Sequence, residues 1–451
     1  MHSATAAVKD STARDSATTF HPAGIPDFLP REHLRGLQSQ RLRQVVDRAY
    51  EHVPLFRQRM HKEDLTPADI GGIDDLHKLP LLVRQDLCDT YPFDMLAVPV
   101  PQVARLHLPG GAPGKPTVAA YTRRDLDVWT ELIVRSLASC GIHAGDVVLS
   151  ACGQNRQTDA LALHAGIEAL GATVISVGGD NADQQIMAIK DFSVSAVCCT
   201  PSHFLYLVQR AEQIGVALQE LPLRAGVFVA ESFNETLRRQ IEESAGIRAY
   251  EIFGLPEIVS PGIGAECGHQ NGLHIFEDHF YAEIVDPQSG APVADGQEGQ
   301  LVLTTLGKEA MPLIRYRTPE LAAIAAEPCP CGRTMRRIRR VGRHGDDTFV
   351  IQGVSVAPTQ IEAALLAVEG TLPDYQIVLT QEEGVDRVEV QIEVTAEVLS
   401  DRISVMEGLQ SKLAGEIEQT LGVGVPVRLV EPHTIQHDQD KASRIVDKRE
   451  V

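Results

Sequence analysis

Apolar residues recur at helical spacing twice in the first third of the chain, at Leu42, Val45, Val46 and Ala49 and again at Leu126, Trp129, Ile133 and Leu137. Such recurrence lines one face of a 3.6-residue helix, so both stretches predict amphipathic helices. The pattern then changes. Short apolar, β-rich runs, VVLSAC, ATVISVG, SAVCCT, AGVFVA and AYEIFG, are separated by segments long enough for a helix, such as Ser202 to Ile214. Alternation of this kind predicts a parallel α/β layer. Strands without helices follow in HFYAEIVDP, GQLVLTTL and ELAAIAA, which predicts antiparallel β structure. The basic stretch RTMRRIRRVGRHGDD reads as a linker. Beyond it come TFVIQGVSV, a helix over Gln360 to Val368, the hairpin YQIVLTQEEGVDRVEVQIEV, a helix near Met406 to Leu421 and PVRLV. These predict a small α+β domain. The expected organisation is a disordered tail over 1–20, a large α/β domain over 21–342 and a small domain over 343–451.

Composition narrows the function. A chain of 451 residues is too long for one core, and its 43% apolar content is ample for two or three. With 41 Lys and Arg against 61 Asp and Glu, the formal charge is −20. That excludes a general binder of nucleic acid or anionic membrane, so an anionic substrate needs a local basic pocket. Eight cysteines lack the dense spacing of a secreted disulfide framework, which points to reduced thiols and a cytoplasmic protein. No run approaches the ~18 apolar residues of a membrane helix. The first twenty residues have no apolar stretch for a signal sequence and carry acids that transit peptides avoid.

Two stretches suggest chemistry. In RLHLPGGAPGKPTVAAYTRRD, Gly110, Gly111 and Gly114 let backbone approach phosphate oxygens, and Lys115 would neutralise charge there. The spacing is not that of the nucleotide P-loop, and a Gly/Pro-rich surface turn explains the residues as well. The second stretch is ECGHQNGLHIFEDHF, with Cys267, His269, His274 and His279, to be taken with Cys329 and Cys331 of EPCPCGRT. Thiolates and imidazoles at this density suit a tetrahedral zinc, although reduced cysteines in a β-rich turn would leave the same trace.

The loop is followed in order by CTPSH, VFVAESF, YEIFGLPEI, PLIRYRTPEL, VGRHGDD, QGVSVAPTQIE and DQDKASRIVDK. Together with LPLLVRQDLCDTYPF and NGLHIFEDHF, this series resembles the phenylacetate–CoA ligase family of acyl-adenylate-forming enzymes over nearly the whole chain after the tail. The resemblance implies an adenylate-forming N-terminal domain and a small C-terminal lid that rotates between two half-reactions. It implies a carboxylate joined to AMP from ATP and magnesium, then passed to coenzyme A. It also implies residues. Gly110, Gly111, Gly114 and Lys115 would face the pyrophosphate half of ATP. Ala230, Glu231 and Ser232 would lie along the adenine, Phe253 would stack on it, and Tyr250 and Gly254 belong to the same motif. Glu257 would serve magnesium and phosphate, Glu320 the ribose, Arg343 the hinge side of the nucleotide, and Lys441 the attack on the α-phosphate. Some members hold a structural zinc from the two cysteine segments, which gives Cys267, His274, Cys329 and Cys331 as the ligand set. Relatives suggest a homodimer.

Four departures touch nucleotide handling. The loop carries Pro109, Gly110, Gly111, Ala112 and Pro113 where relatives place hydroxyls, Pro256 precedes Glu257, Glu320 replaces an aspartate, and GRHGDD holds one residue more than the usual hinge. Each lost charge-assisted hydrogen bond costs about 1.5–3 kcal/mol. Three functions therefore compete: an aryl-acid–CoA ligase, an adenylating enzyme that loads a carrier protein, and a non-catalytic nucleotide- or acyl-CoA-binding relative. The acyl pocket is expected around CGQNRQTDALALHAG and VGGDNADQ with Phe204 and Tyr206 nearby, and its polar residues favour a polar-substituted aromatic acid.

Overall fold

A computed structural model describes residues 21–108, 117–152, 157–177, 181–230, 233, 235–344, 349–351, 354–356, 358–368, 374–382, 385–394, 403–421, 424–432, 434–435 and 444–448. An eleven-stranded mixed sheet forms its centre. The parallel part runs, in spatial order, through Thr173–Ser176, Val147–Ser150, Ala196–Cys199, Ala225–Phe228 and Arg248–Leu255. Helices Gln157–Leu170, Ala182–Asp191, Pro201–Gln213 and Glu235–Ala245 lie between these strands in the chain. Ala196–Cys199 and Ala225–Phe228 are buried at every position. A strand covered on both faces needs no polar alternation, which is why these runs are continuously apolar. The CTPSH stretch is the start of a helix: Pro201 occupies the first turn and the Thr200 hydroxyl accepts from the His203 amide at 3.3 Å.

Arg248–Leu255 is the switch strand, parallel to Ala225–Phe228 on one side and antiparallel to Val259–Ala265 on the other. The antiparallel part continues through Leu273–Ile275, Arg337–His344, Tyr316–Ile324, Gly299–Thr305 and Phe280–Val285. Helix Arg123–Ser139 lays Trp129, Leu132, Ile133 and Leu137 into the main core, as its periodicity predicts. Helix Arg31–His52 contributes Leu42, Val45, Val46 and Ala49 to a smaller cluster.

The basic stretch is not a linker. Arg337–His344 is an interior strand, with Ile338 fully buried and Arg337 only 3% exposed. Its charges find partners elsewhere in the chain: Arg336 pairs with Glu277 at 2.8 Å, Arg340 with Glu320 at 2.9 Å, and Arg337 donates to the Glu327 carbonyl at 2.7 Å. Read locally such a run looks solvated, because its neutralising acids are distant in sequence.

The C-terminal residues form the expected α+β unit. A four-stranded sheet, in the order Val427–Val430, Val385–Glu393, Tyr375–Glu382 and Ile445–Asp447, is accompanied by helices Pro358–Leu366 and Ile403–Leu421. Ile361, Leu365, Ile377, Val390, Leu413 and Ile417 share one core there. The fold is thus α/β with a large mixed sheet and a small C-terminal α+β domain. Among the described residues, no helix is long and apolar enough to cross a membrane.

Candidate active site

The switch strand organises the site. Strand Ala225–Phe228 ends beside Arg248–Leu255, with Val227 opposite Tyr250 and Phe228 opposite Glu251. Their continuations leave at the same edge, the place where open α/β sheets receive ligands. Ala230 lies on the first continuation with φ +69°. A left-handed conformation costs a residue with a Cβ about 1–2 kcal/mol, and such backbone is retained chiefly where function requires it. Glu231 and Ser232, which follow, lie outside the described residues.

Tyr250, Phe253 and Gly254 all lie on the switch strand. Phe253 is buried, and the Arg340 guanidinium lies 5.3 Å from its ring centroid. Arg340 donates from Nη2 and Nε to one Glu320 oxygen, at 2.9 and 3.2 Å, and from Nη1 to Glu251. Burial raises the Glu251 carboxyl despite this contact. Strand pairing sets Glu320 opposite His344, so the Arg343 backbone lies next to Glu320, although its side chain is outside the described set. Phe253, Glu320 and the switch strand are therefore joined through Arg340. No local signal marks Arg340, since the basic stretch that contains it reads as a linker.

Gly254 is required sterically. A Cβ there would lie 2.6 Å from the Val259 carbonyl, 2.7 Å from the Pro261 Cα and 2.8 Å from the Ser260 Cα. All three are backbone atoms at the start of strand Val259–Ala265, so relief means moving that strand start and, with it, the turn over 256–258 that leads into it. Overpacking costs about 1–3 kcal/mol. With Glu257 in the role the resemblance implies, Gly254→Ala is expected to lose more adenylation activity than stability, because the displaced turn carries that residue. A denaturant midpoint measured beside pyrophosphate exchange separates the two effects. Loss of stability with unchanged exchange would detach the turn from the chemistry.

The Glu257 side chain is 13% exposed, with its carboxylate 3.7 Å from the Arg84 guanidinium. Arg84 comes from the LPLLVRQDL segment, which is fixed to the sheet: the Leu82 amide donates to the Arg315 carbonyl and the Arg317 amide to the Leu82 carbonyl, at 3.0 and 2.8 Å. On the backbone side of the same turn lies Lys308, 9% exposed, donating to the Ile258 carbonyl at 2.7 Å and toward the Glu257 carbonyl at 3.4 Å. Its ammonium also sits 4.4 Å from the Tyr121 ring centroid. No sequence signal singles out Arg84 or Lys308.

Gly110, Gly111, Gly114 and Lys115 lie outside the described residues. The strands that bracket them are described. Arg105–His107 pairs antiparallel with Ala119–Tyr121, so the two ends of the loop are held side by side. Burial lowers the intervening His107 imidazole to about 4, with Arg105 and Lys308 adding to the shift. Lys441 also lies outside the described residues, but its anchor does not. Arg444 stacks 4.6 Å from the Tyr375 ring centroid, and Ile445–Asp447 adds a parallel edge strand to Tyr375–Glu382. Of the expected acyl-pocket residues, Phe204 belongs to the core, edge-on to Phe228 at 5.5 Å, and Tyr206 is 40% exposed. Phe204 is fully buried in that core.

The cysteine and histidine candidates converge. The ligand atoms of Cys267, His274, Cys329 and Cys331 all lie within 4.8 Å of one another, and all four residues are buried. Cys267 Sγ is 3.7 Å from Cys329 Sγ, and Cys331 Sγ is 3.4 Å from His274 Nε2. A tetrahedral zinc with bonds of about 2.3 Å to sulfur and 2.0–2.1 Å to nitrogen has edges of about 3.7 and 3.5 Å, so the donor set fits that ion. His274 Nδ1 faces the Met335 carbonyl at 3.2 Å, which orients the ring with Nε2 toward the sulfurs. His269 and His279 are not part of the cluster.

A model of the AMP-binding enzyme family matches residues 133–307, and a model of the AMP-binding enzyme C-terminal domain matches residues 353–449. A phenylacetate–coenzyme A ligase of Thermus thermophilus is 41% identical over 437 residues, covering 94% of this chain and 98% of that protein. A crystal structure of 2-hydroxyisobutyryl-CoA ligase with 2-HIB-AMP in the postadenylation state aligns with a TM-score of 0.82 and 25% identity, over 94% of this chain and 91% of that one. The same enzyme with 2-HIB-AMP and CoA in its thioesterification state aligns with a TM-score of 0.69 and 26% identity, over 94% and 92%.

Proposed function

Because the chain belongs to the phenylacetate–coenzyme A ligase family of AMP-binding enzymes, we propose that its substrate is an aromatic carboxylic acid, activated where the switch strand meets the small domain. The chain is an ATP-dependent acid–coenzyme A ligase that works through an acyl-AMP. Similarity over almost its full length carries this reading.

A carboxylate is a poor electrophile. In the first step its oxygen attacks the α-phosphorus of ATP, the bond to the β-phosphate oxygen breaks, and pyrophosphate leaves. In the second, the coenzyme A sulfur attacks the acyl carbon and AMP departs with the bonding electrons. Ala230, Glu231, Ser232, Tyr250, Phe253 and Gly254 hold the adenine, while Glu320 and Arg343 hold the ribose side. Gly110, Gly111, Gly114 and Lys115 cradle the leaving phosphates through backbone amides and one ammonium. Glu257 holds the magnesium that accompanies ATP, which neutralises phosphate charge. Lys441 stabilises charge developing at the α-phosphate. Cys267, His274, Cys329 and Cys331 hold a structural zinc. The small domain turns between half-reactions about the segment after Arg343; the unequal overlay on two states of one ligase supports this. The polar GQNRQTD segment favours a polar-substituted ring, the reduced thiols a cytoplasmic setting, and the family a homodimer.

The test is acid-dependent ATP–pyrophosphate exchange across a panel of aryl acids, followed by acceptor assays with free coenzyme A and with a phosphopantetheinylated carrier protein. Exchange with aromatic acids and transfer to free coenzyme A are expected. Transfer to the carrier alone would replace the acceptor, and no exchange with any acid, together with no ATP binding, would leave a non-catalytic relative.

A further inference from the structure

We propose that Lys308 is a positioning residue for adenylation, holding the backbone of the Glu257 turn so that the Glu257 carboxylate is correctly placed for the metal-bound phosphates. The inference rests on the role given to Glu257 above. Its starting point is an anomaly of burial. Lys308 is 9% exposed, and among the described residues its ammonium pairs with no carboxylate; its partners are two carbonyls and the Tyr121 ring. Removing an ammonium from water without a counter-ion is costly, so a lysine kept in such a place requires a compensating use.

The geometry identifies that use. Three side chains secure the turn and the strand that leaves it from the inner side. Lys308 Nζ reaches the Glu257 and Ile258 carbonyls, the Tyr121 hydroxyl donates to the Ile258 carbonyl at 3.1 Å, and Trp129 Nε1 donates to the Pro261 carbonyl at 2.7 Å. Lys308 is itself fixed. Asp125 caps helix Arg123–Ser139 and also accepts from the Glu309 and Ala310 amides at 2.7 and 3.0 Å, tying the residues after Lys308 to the helix start. The position of Glu257 is thus set from the body of the enzyme rather than by the turn alone.

The charges around the ammonium are Asp125 on the helix, Glu257 on the turn and His107 on the strand before the phosphate loop; His279 lines the small cavity beside it. Burial lowers the Lys308 ammonium to about 8, opposed by Asp125 and Glu257. Burial also keeps His107 and His279 neutral at pH 7.

The experiment is a double-mutant cycle read by pyrophosphate exchange in the full chain. Lys308→Met is expected to slow exchange ~10- to 100-fold in the natural background, the range for charge-assisted hydrogen bonds, with the acid KM unchanged. In a Glu257→Gln background the same substitution should change exchange less than about threefold, since a residue acting through Glu257 has nothing left to position. Equal losses in both backgrounds, or no loss in the natural one, would overturn the proposal. If Glu257→Gln alone leaves exchange intact, the role of Glu257 fails, and the proposal falls with it for that separate reason. Should Lys308→Met not fold, Lys308→Gln, which keeps a donor for the two carbonyls without the charge, takes its place in the same cycle and is judged by the same outcomes.

Discussion

Lys441→Ala is expected to slow acid-dependent pyrophosphate exchange ~100- to 1000-fold, the range for removing one preorganised charge from a developing oxyanion. The loss should be selective. In the role proposed for it, Lys441 acts on the step in which negative charge gathers on the α-phosphate oxygens, whereas transfer to coenzyme A moves charge onto AMP in different surroundings. Supplied with synthetic acyl-AMP and coenzyme A, the variant should form thioester within a few-fold of the natural rate. The anchor explains why one substitution can act so locally: Arg444 on Tyr375 and the parallel strand Ile445–Asp447 keep the end of this segment attached to the small domain after the lysine is gone. Exchange that survives in Lys441→Ala would remove the lysine from the chemistry, and equal losses in both half-reactions would point to a folding defect.

Loss of the proposed zinc should damage stability more than catalysis. Elemental analysis of purified protein is expected to find close to one zinc per chain, and well under one would end the assignment. Zinc present a thousandfold above its Kd stabilises the native state by about 4 kcal/mol. For a domain of this size, chelation or Cys331→Ser should lower Tm by roughly 5–10 °C. The four ligands come from the turn after Val259–Ala265, from strand Leu273–Ile275 and from the Cys329–Cys331 turn, so their release loosens the antiparallel part of the sheet. No ligand shares a hydrogen bond with Glu257, Phe253 or Glu320 among the described contacts, and exchange per folded molecule should remain near normal.

Most of the α/β framework was legible in the sequence because its signals are local. SAVCCT and AGVFVA are continuously apolar, and the CTPSH stretch places a capping threonine and a proline where a helix must begin. Strands Val259–Ala265 and Leu273–Ile275 were missed: one carries two glycines and a proline, the other has three residues, and their order comes from pairing with neighbours rather than from propensity. The metal candidates stand out by residue type, and the resemblance already groups Cys267, His274, Cys329 and Cys331; the fold supplies the physical reason, since Cys329 and Cys331 reach Cys267 and His274 only when the antiparallel strands close on one another.

By itself the sequence determined the alternation of strands and helices, the split into a large and a small domain, and the order of motifs that places the chain in its family. These follow from hydrophobic period and capping chemistry, which act between near neighbours. The tertiary structure alone decided that Arg337–His344 lies inside the sheet, that Arg340 joins Glu320 to Phe253, and that Lys308 lies beneath the Glu257 turn. Buried charge depends on partners that the chain brings together only by folding, and no local pattern of residues encodes which acid will meet which base.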